Sequence, residues 1–421
     1  MTTKIAKMLE KTDKMYHSML LRRRFCKRVV LFVVAFGISF YISVLLFGDL
    51  KSPRVMNLTD LDRCPACYGV TVCPELYSNQ IVLETNRHWS GMFNAKNIYY
   101  GFTRSNRRVV LKKLAHDWEL NQLDTELCKT WNLKRICKPI EILNASSIDK
   151  KIIDIVKFNI WPDTKPRKGL VLCPYAYSFY DLIQPILNSK KSTNNKSDMI
   201  NIWTMLTINP EPIILQVIPK SKGWPVPAYG GVCGRLEVVA YEGEPLSLLR
   251  HVEWHRKLKY ARDILAAAMD FTFKHDRFRF YFMDWSLDNI VANEKDEITF
   301  VDLEDVVVLD KYISPRKDLP DWYQRYSREN VGAGFTFSIE NMCKHHLSDH
   351  NIWAACYILA GDSNPLLYPI PKEVNSSRPH FDRLLSECLN GDDRFRTVTK
   401  LQHVITDMLL DERIVGFGAV R

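Results

Sequence analysis

One run of the chain differs from the rest in its pattern of polar and apolar positions. From Val29 to Gly48 (VVLFVVAFGISFYISVLLFG) no residue is charged, and Asp49 and Lys51 close the run. Twenty residues at about 1.5 Å each span about 30 Å as a helix, the thickness of a bilayer's hydrocarbon core. A cleavable signal peptide is the competing reading, but its apolar stretch is usually about 7–15 residues ending on small side chains. Here the run is longer and Leu45-Leu46-Phe47 stands where small residues are needed. We read 29–48 as a transmembrane signal anchor.

Beyond it the pattern is that of a mixed globular body. Ile98–Gly101 and Arg108–Lys112 predict two strands around a polar turn at Thr103–Arg107. Trp118, Leu120, Leu123 and Leu127 recur at helical spacing between His116 and Cys128. The stretch 129–200 is heterogeneous and predicts an insertion of small helices and loops. Pro212–Pro219 (PIILQVIP) and Arg235–Tyr241 (RLEVVAY) read as strands on either side of a Gly/Pro-rich turn. A long Ala- and Leu-rich helix follows over His255–Lys274, then Phe278–Met283, a loop at Asp284–Asn289, and two short strands at Ile290–Ala292 and Ile298–Val301. The C-terminal third reads as mixed and mostly helical.

Charge sharpens the topology. Nine basic and two acidic residues lie within positions 1–28, a net +7 of the chain's +10, so the other 393 residues carry only +3. A basic flank on one side of an apolar span stays in the cytosol. The body after about residue 50 is therefore expected in the lumen, and nucleic acid drops out as its partner. Ten cysteines lie beyond the anchor: Cys64, Cys67, Cys73, Cys128, Cys137, Cys173, Cys233, Cys343, Cys356 and Cys388. An even number suits disulfides in an oxidising compartment, with a pairing that sequence leaves open. Asn57, Asn144, Asn195 and Asn375 each begin an N-x-S/T glycosylation acceptor. Cys64-Pro65-Ala66-Cys67 lacks the fourth short-range ligand of a zinc knuckle and the strand–helix setting of a redox pair, so structural bridges are expected. His345, His346 and His350 with Asp349 have a metal-like spacing without an intervening Glu, and are read as surface or partner-facing.

The order of elements then meets a set of charged residues. Phosphoryl transfer in protein kinases uses a strand Lys for phosphate, a helix Glu that orients it, a loop Asp with an Asn five residues on, and a later metal-binding Asp. Val109-Val110-Leu111-Lys112, Asp284-Trp285-Ser286-Leu287-Asp288-Asn289 and Val301-Asp302-Leu303-Glu304 follow that spacing. The segments CPACYGVTVC, VVLKKLAHDWELNQLD, NPEPIILQ, GWPVPAYGGVCGR and MDWSLDNIVANEKDEITFVDLEDVVVLDK resemble the divergent protein kinase domain 2 family. These are the "deleted in autism" secretory-pathway proteins, related to FAM-type kinase-like proteins of the endoplasmic reticulum and Golgi. The resemblance covers about residues 60–415.

It implies an α+β, two-lobed protein-kinase-like fold, disulfide-rich, behind an N-terminal transmembrane helix. The expected organisation is a cytosolic tail 1–28, the anchor 29–48, a cysteine-containing stem 49–95, an N-lobe-like region 96–245 with its insertion 129–200, and a C-lobe-like region 246–421. It implies Lys112 for phosphate, Asp284 as base, Asn289 and Asp302 for metal, and Glu119 as the partner of Lys112, with Asp124 and Glu126 as alternatives. The implied cofactor is ATP with Mg²⁺ or Mn²⁺ if the protein is catalytic, and the implied acceptor is a lumenal protein or glycan. Golgi or endoplasmic reticulum residence is expected, with release by cleavage left open.

Departures keep other readings in play. No G-x-G-x-x-G is present around Gly101, Phe282-Met283 replace the His-Arg before the loop Asp, Ser286 stands at the usual loop Lys, Glu304 replaces the Gly of D-F-G, and no A-P-E occurs in 315–340. A pseudokinase acting as a tethered or secreted binding protein, and a metal-dependent glycosyltransferase using Asp302–Asp305, are the alternatives.

Overall fold

The computed structural model describes residues 55–64, 66–84, 97–130, 170–173, 178–189, 195–312, 322–323, 339–362 and 364–411. The basic tail, the 29–48 run, Cys137, Asn144, much of 129–200 and most of 315–340 lie outside them. Among the described residues no helix is long and apolar enough to cross a membrane.

In chain order the elements used below are β1 (Ile81–Leu83), β2 (Ile98–Thr103), β3 (Arg108–Lys113), α1 (Asp117–Thr130), β4 (Leu170–Cys173), α2 (Phe179–Ser189), α3 (Asn195–Thr207), α4 (Glu211–Val217), β5 (Tyr229–Cys233), β6 (Leu236–Ala240), β7 (Glu244–Pro245), α5 (Trp254–Phe273), β8 (Phe278–Phe282), β9 (Ile290–Ala292), β10 (Ile298–Phe300), β11 (Val306–Asp310), α6 (His350–Ala360), α7 (His380–Asn390) and α8 (Arg394–Leu410). A five-stranded antiparallel sheet in the order β1-β2-β3-β6-β5 forms the first layer. Two three-stranded sheets, β10-β9-β7 and β4-β11-β8, lie with the helical C-terminal part.

Alternation assigns the faces of the first sheet. Val109 and Leu111 of β3 join Leu236 and Val238 of β6 in a small outer core, closed by Leu58, Val72 and Leu76 of the preceding segment. Successive strand side chains point to opposite faces. Arg108, Val110 and Lys112 therefore share the inner face, and the register sets Lys112 opposite Glu237 and Val110 opposite Val239. The β5–β6 turn needs Gly234, whose φ is +60° and whose added Cβ would meet the Thr59 carbonyl oxygen at 1.8 Å.

Two sequence expectations change here. Pro212–Pro219 is not a strand: Glu211–Val217 coils into α4, with Ile213, Ile214, Leu215 and Val217 all buried. A short segment buried on every side has no period to read, so an apolar run alone cannot separate strand from helix. The stretch 129–200, read as an insertion of small helices and loops, also supplies a strand of the core: β4 pairs in parallel with β11, which pairs antiparallel with β8.

Below the sheet, α5 buries Leu258, Ala261, Ile264, Leu265, Ala268 and Phe271 and packs against α6, α8 and β8. Disulfides join Cys64 to Cys67, Cys73 to Cys233, Cys173 to Cys343 and Cys356 to Cys388. Cys128 is also disulfide-bonded. Cys73–Cys233 ties the stem segment to β5, so the cysteine-rich stem is part of the body's outer core.

Candidate active site

Lys112 leaves the inner face of β3 and meets α4. Its ammonium donates to both carboxylate oxygens of Glu211, at 2.7 and 2.9 Å. Side-chain exposure is 12% for Lys112 and 1% for Glu211. Burial alone would lower the lysine, but the Glu211 carboxylate, then Asp302 and Glu237, outweigh it and push the ammonium above its ordinary value. Burial pushes Glu211 up, Lys112 opposes, and the nearby Asp302 adds to the rise.

Glu211 replaces Glu119 as the partner expected for Lys112. Glu119 instead closes the first turn of α1, where its Oε2 accepts the His116 backbone N–H at 2.8 Å. Seven residues from Lys112 are too few for a chain that must leave the sheet, form a helix and face back. Of the alternatives, Asp124 accepts from Arg63 and Arg235 at 2.9 and 2.6 Å. A signal for Glu211 was present in Asn209-Pro210-Glu211-Pro212: prolines and an acid are favoured in a helix's first turn. The β-like run after it obscured that signal.

The second half of the site hangs from β8 and the β9–β10 hairpin. Asp284 is exposed, Asn289 is buried, and the Asn289 Nδ2 donates to the Asp284 Oδ2 at 3.0 Å. The Asn289 carbonyl accepts the Val301 N–H at 2.9 Å, which ties the loop to the residue before Asp302. Asp302 has φ +67°, a left-handed conformation rare for a non-glycine residue and costly unless its surroundings hold it. Glu304 accepts from the Asn209 Nδ2 at 2.8 Å, and the Asn209 Oδ1 accepts the Glu211 N–H at 2.9 Å.

Sequence reasoning missed Glu237. It is fully buried on β6, and neither carboxylate oxygen has a hydrogen-bond partner among the described residues. Burial raises it well above the carboxylate range, with Glu211 adding to the rise.

The histidine cluster is a correction. Asp349 and His350 are buried rather than surface-facing, and they anchor the strand that leads to Asp284. His350 Nε2 bonds the Phe282 carbonyl at 2.7 Å. Asn351 donates to the Phe280 carbonyl at 2.7 Å and accepts from the Phe282 N–H at 3.3 Å. Arg394 of α8 pairs with Asp349 at 2.6 Å.

The donor chemistry fits a hard divalent cation. Asp302 offers a carboxylate, and the Asn289 Nδ2 bond to Asp284 leaves its Oδ1 as an oxygen donor. Among the described residues no three His, Cys, Asp or Glu side chains converge as a metal cage. Magnesium is commonly held by one or two carboxylates with the remainder supplied by water and substrate phosphates.

The family model for the protein-kinase domain of FAM69 matches residues 202–391. Divergent protein kinase domain 2A of Homo sapiens is 30% identical over 398 residues, covering 84% of this chain and 90% of that protein. The Xenopus tropicalis protein of the same name is 30% identical over 397 residues, 86% of this chain and 91% of its own length. Divergent protein kinase domain 2B of Mus musculus is 23% identical over 233 residues, half of this chain and 53% of its own. The paired Lys112 and Glu211, the Asp284–Asn289 loop and Asp302 are thus set in a chain that belongs to the divergent protein kinase domain 2 family.

Proposed function

We propose that the protein is an atypical phosphotransferase of the secretory pathway, moving the terminal phosphoryl group of ATP to a hydroxyl on a lumenal protein or glycan. The observation that carries the reading is the buried Lys112–Glu211 pair with Asp302 acting on it: a cation held by two hydrogen bonds, next to a carboxylate in a costly backbone conformation. Such strain is kept where the surroundings and the chemistry need it.

In this reading Lys112 binds phosphate oxygens and Glu211 fixes its position. Asp302 and the Asn289 Oδ1 would hold Mg²⁺ or Mn²⁺, which when bound neutralises phosphate charge. Asp284, exposed and oriented by the Asn289 amide, accepts the acceptor's hydroxyl proton. Ser286 at the usual loop Lys position removes one phosphate cation, which favours slow transfer and supports the second reading, a pseudokinase that binds nucleotide without turnover.

The direct test is the melting temperature of the protein with ATP and Mg²⁺ or Mn²⁺, repeated on Asp302→Ala, followed by γ-phosphate release. A metal-dependent rise lost in Asp302→Ala is expected; no rise in the wild type with any metal defeats the reading. Transfer without release separates a kinase from a hydrolase, and binding with neither supports the pseudokinase.

The membrane topology belongs to the same proposal and rests on the 29–48 run and its basic flank. Asn57 and Asn375 are exposed, so glycosidase-sensitive mass on these two sites is expected in cells. Unmodified Asn57 and Asn375, with residues 1–28 protected from protease in intact microsomes, would reverse the topology.

A further inference from the structure

Glu304 stands where ordinary kinases carry glycine, and its bonding gives that acid a role. Glu304 is tied to the residues that open α4: its Oε2 accepts from the Asn209 Nδ2 at 2.8 Å. Asn209 is 3% exposed, and its amide serves both sides, since its Oδ1 also accepts the Glu211 N–H at 2.9 Å. A flipped amide would set N–H against N–H and oxygen against carboxylate, so only one orientation satisfies both bonds. Pro210 before Glu211 and Pro212 after it limit the backbone on which the amide acts.

We propose that Asn209 and Glu304 form a latch that holds the Asp302 segment and α4 in one arrangement, so that the Lys112–Glu211 pair and Asp302 are assembled without a phosphorylation event. The inference rests on the nucleotide-binding reading for its functional meaning, and on the two hydrogen bonds for its structure. In kinases where the third residue of this motif is glycine, no side chain is present to make such a link, and the position of the Lys-pairing helix is open to regulation. Here the link is a charge-assisted bond in a half-buried place, which is stronger than a neutral one. Asn209 and Glu304 are positioning residues: they act through Glu211 and Asp302.

Hydrogen-bond reversal tests the latch in the full chain. Asn209→Asp keeps an acceptor for the Glu211 N–H but turns the donor facing Glu304 into a second carboxylate oxygen. Glu304→Gln keeps an acceptor for Asn209 and removes the charge. The double variant restores the link with donor and acceptor exchanged. Two readouts are used: hydrogen exchange of the Ile213 and Ile214 amides in the ligand-free protein, and the Mg²⁺- or Mn²⁺-ATP concentration giving half of the thermal shift.

Asn209→Asp is expected to speed exchange at both amides and to weaken the nucleotide midpoint, each about tenfold, the scale of one lost hydrogen bond to a charged group. Glu304→Gln is expected within about threefold of wild type, and the double variant to recover most of the Asn209→Asp loss. Unchanged exchange in Asn209→Asp, or no recovery in the double variant, overturns the latch. Glu304→Gln that keeps slow exchange but loses metal-dependent binding overturns it in favour of Glu304 as a metal ligand. If no nucleotide shifts the wild type, the functional reading fails while hydrogen exchange still decides the latch.

Discussion

Replacing Glu237 by leucine should make this protein more stable. The carboxyl is 0% exposed and both oxygens lack partners among the described residues. A buried polar group left without a hydrogen bond costs about 1–3 kcal/mol, a cost that leucine, of similar reach, does not carry. With about 2.1 cal/mol/K of unfolding entropy per residue, a body of this size gains about 1–1.5 °C per kcal/mol, so the melting temperature should rise by about 1–4 °C. The gain depends on pH, and its sign follows from the raised carboxyl. The folded-state pKa lies well above the ordinary value of 4.5, first through burial and then through Glu211. The protonated group's contribution is therefore fully present below about pH 4.5 and lost as pH rises toward the folded value, at no more than about 1.4 kcal/mol per pH unit. Glu237→Leu should gain least at pH 4.5 and progressively more up to pH 8. Calorimetry of wild type and variant at half-unit pH steps measures the difference. A lower melting temperature in the variant, or a wild-type-minus-variant difference flat in pH, would refute the argument and show that Glu237 has a stabilising partner.

Three further outcomes are expected. Lys112→Met leaves Glu211 and Glu237 buried without their cation and should cost about 3–5 kcal/mol in urea unfolding at pH 8, less near pH 5 where Glu211 takes a proton more cheaply, and should abolish the ATP-dependent thermal shift. Arg394→Met breaks an ion pair of 1% and 0% exposure and should lose a similar 3–5 kcal/mol, with faster exchange along β8 as the accompanying sign that the strand before Asp284 has loosened. Serine at Cys73 and Cys233, which are 160 residues apart, should cost about 5 kcal/mol by chain entropy, against about 2 kcal/mol for Cys64 and Cys67, which are three apart. Equal losses from the two bridges in denaturant titrations would point to strain or local packing instead.

The elements most legible in advance were those with a clear period or a clear border. The β-rich runs Arg108–Lys112 and Arg235–Tyr241 match the strands Arg108–Lys113 and Leu236–Ala240 to within a residue at each end, and the long amphipathic helix before Asp284 was read nearly to its ends. The misread element is instructive because it carries Glu211. Six of its seven residues are buried, so there is little polar face to read, and Ile213, Ile214, Val217 and Ile218 outweighed the two prolines that mark a helix start. Asp349 and His350 were misplaced for a related reason: in sequence they look like surface polar residues, and only Arg394, 45 positions from Asp349, reveals that the aspartate's charge is compensated inside.

Local chemistry alone thus determined the reactive residue types, their spacing around Asp284, Asn289 and Asp302, and the family to which the chain belongs, because these lie in short segments whose order along the chain is itself the signal. The tertiary structure decided the pairings: Lys112 with Glu211, Asn209 with Glu304 and Cys73 with Cys233, while the Glu237 carboxyl has no hydrogen-bond partner among the described residues. A pairing between residues about 100 positions apart is set by which strand faces meet and which helix packs behind them, and that information is spread over the whole core rather than written beside either partner.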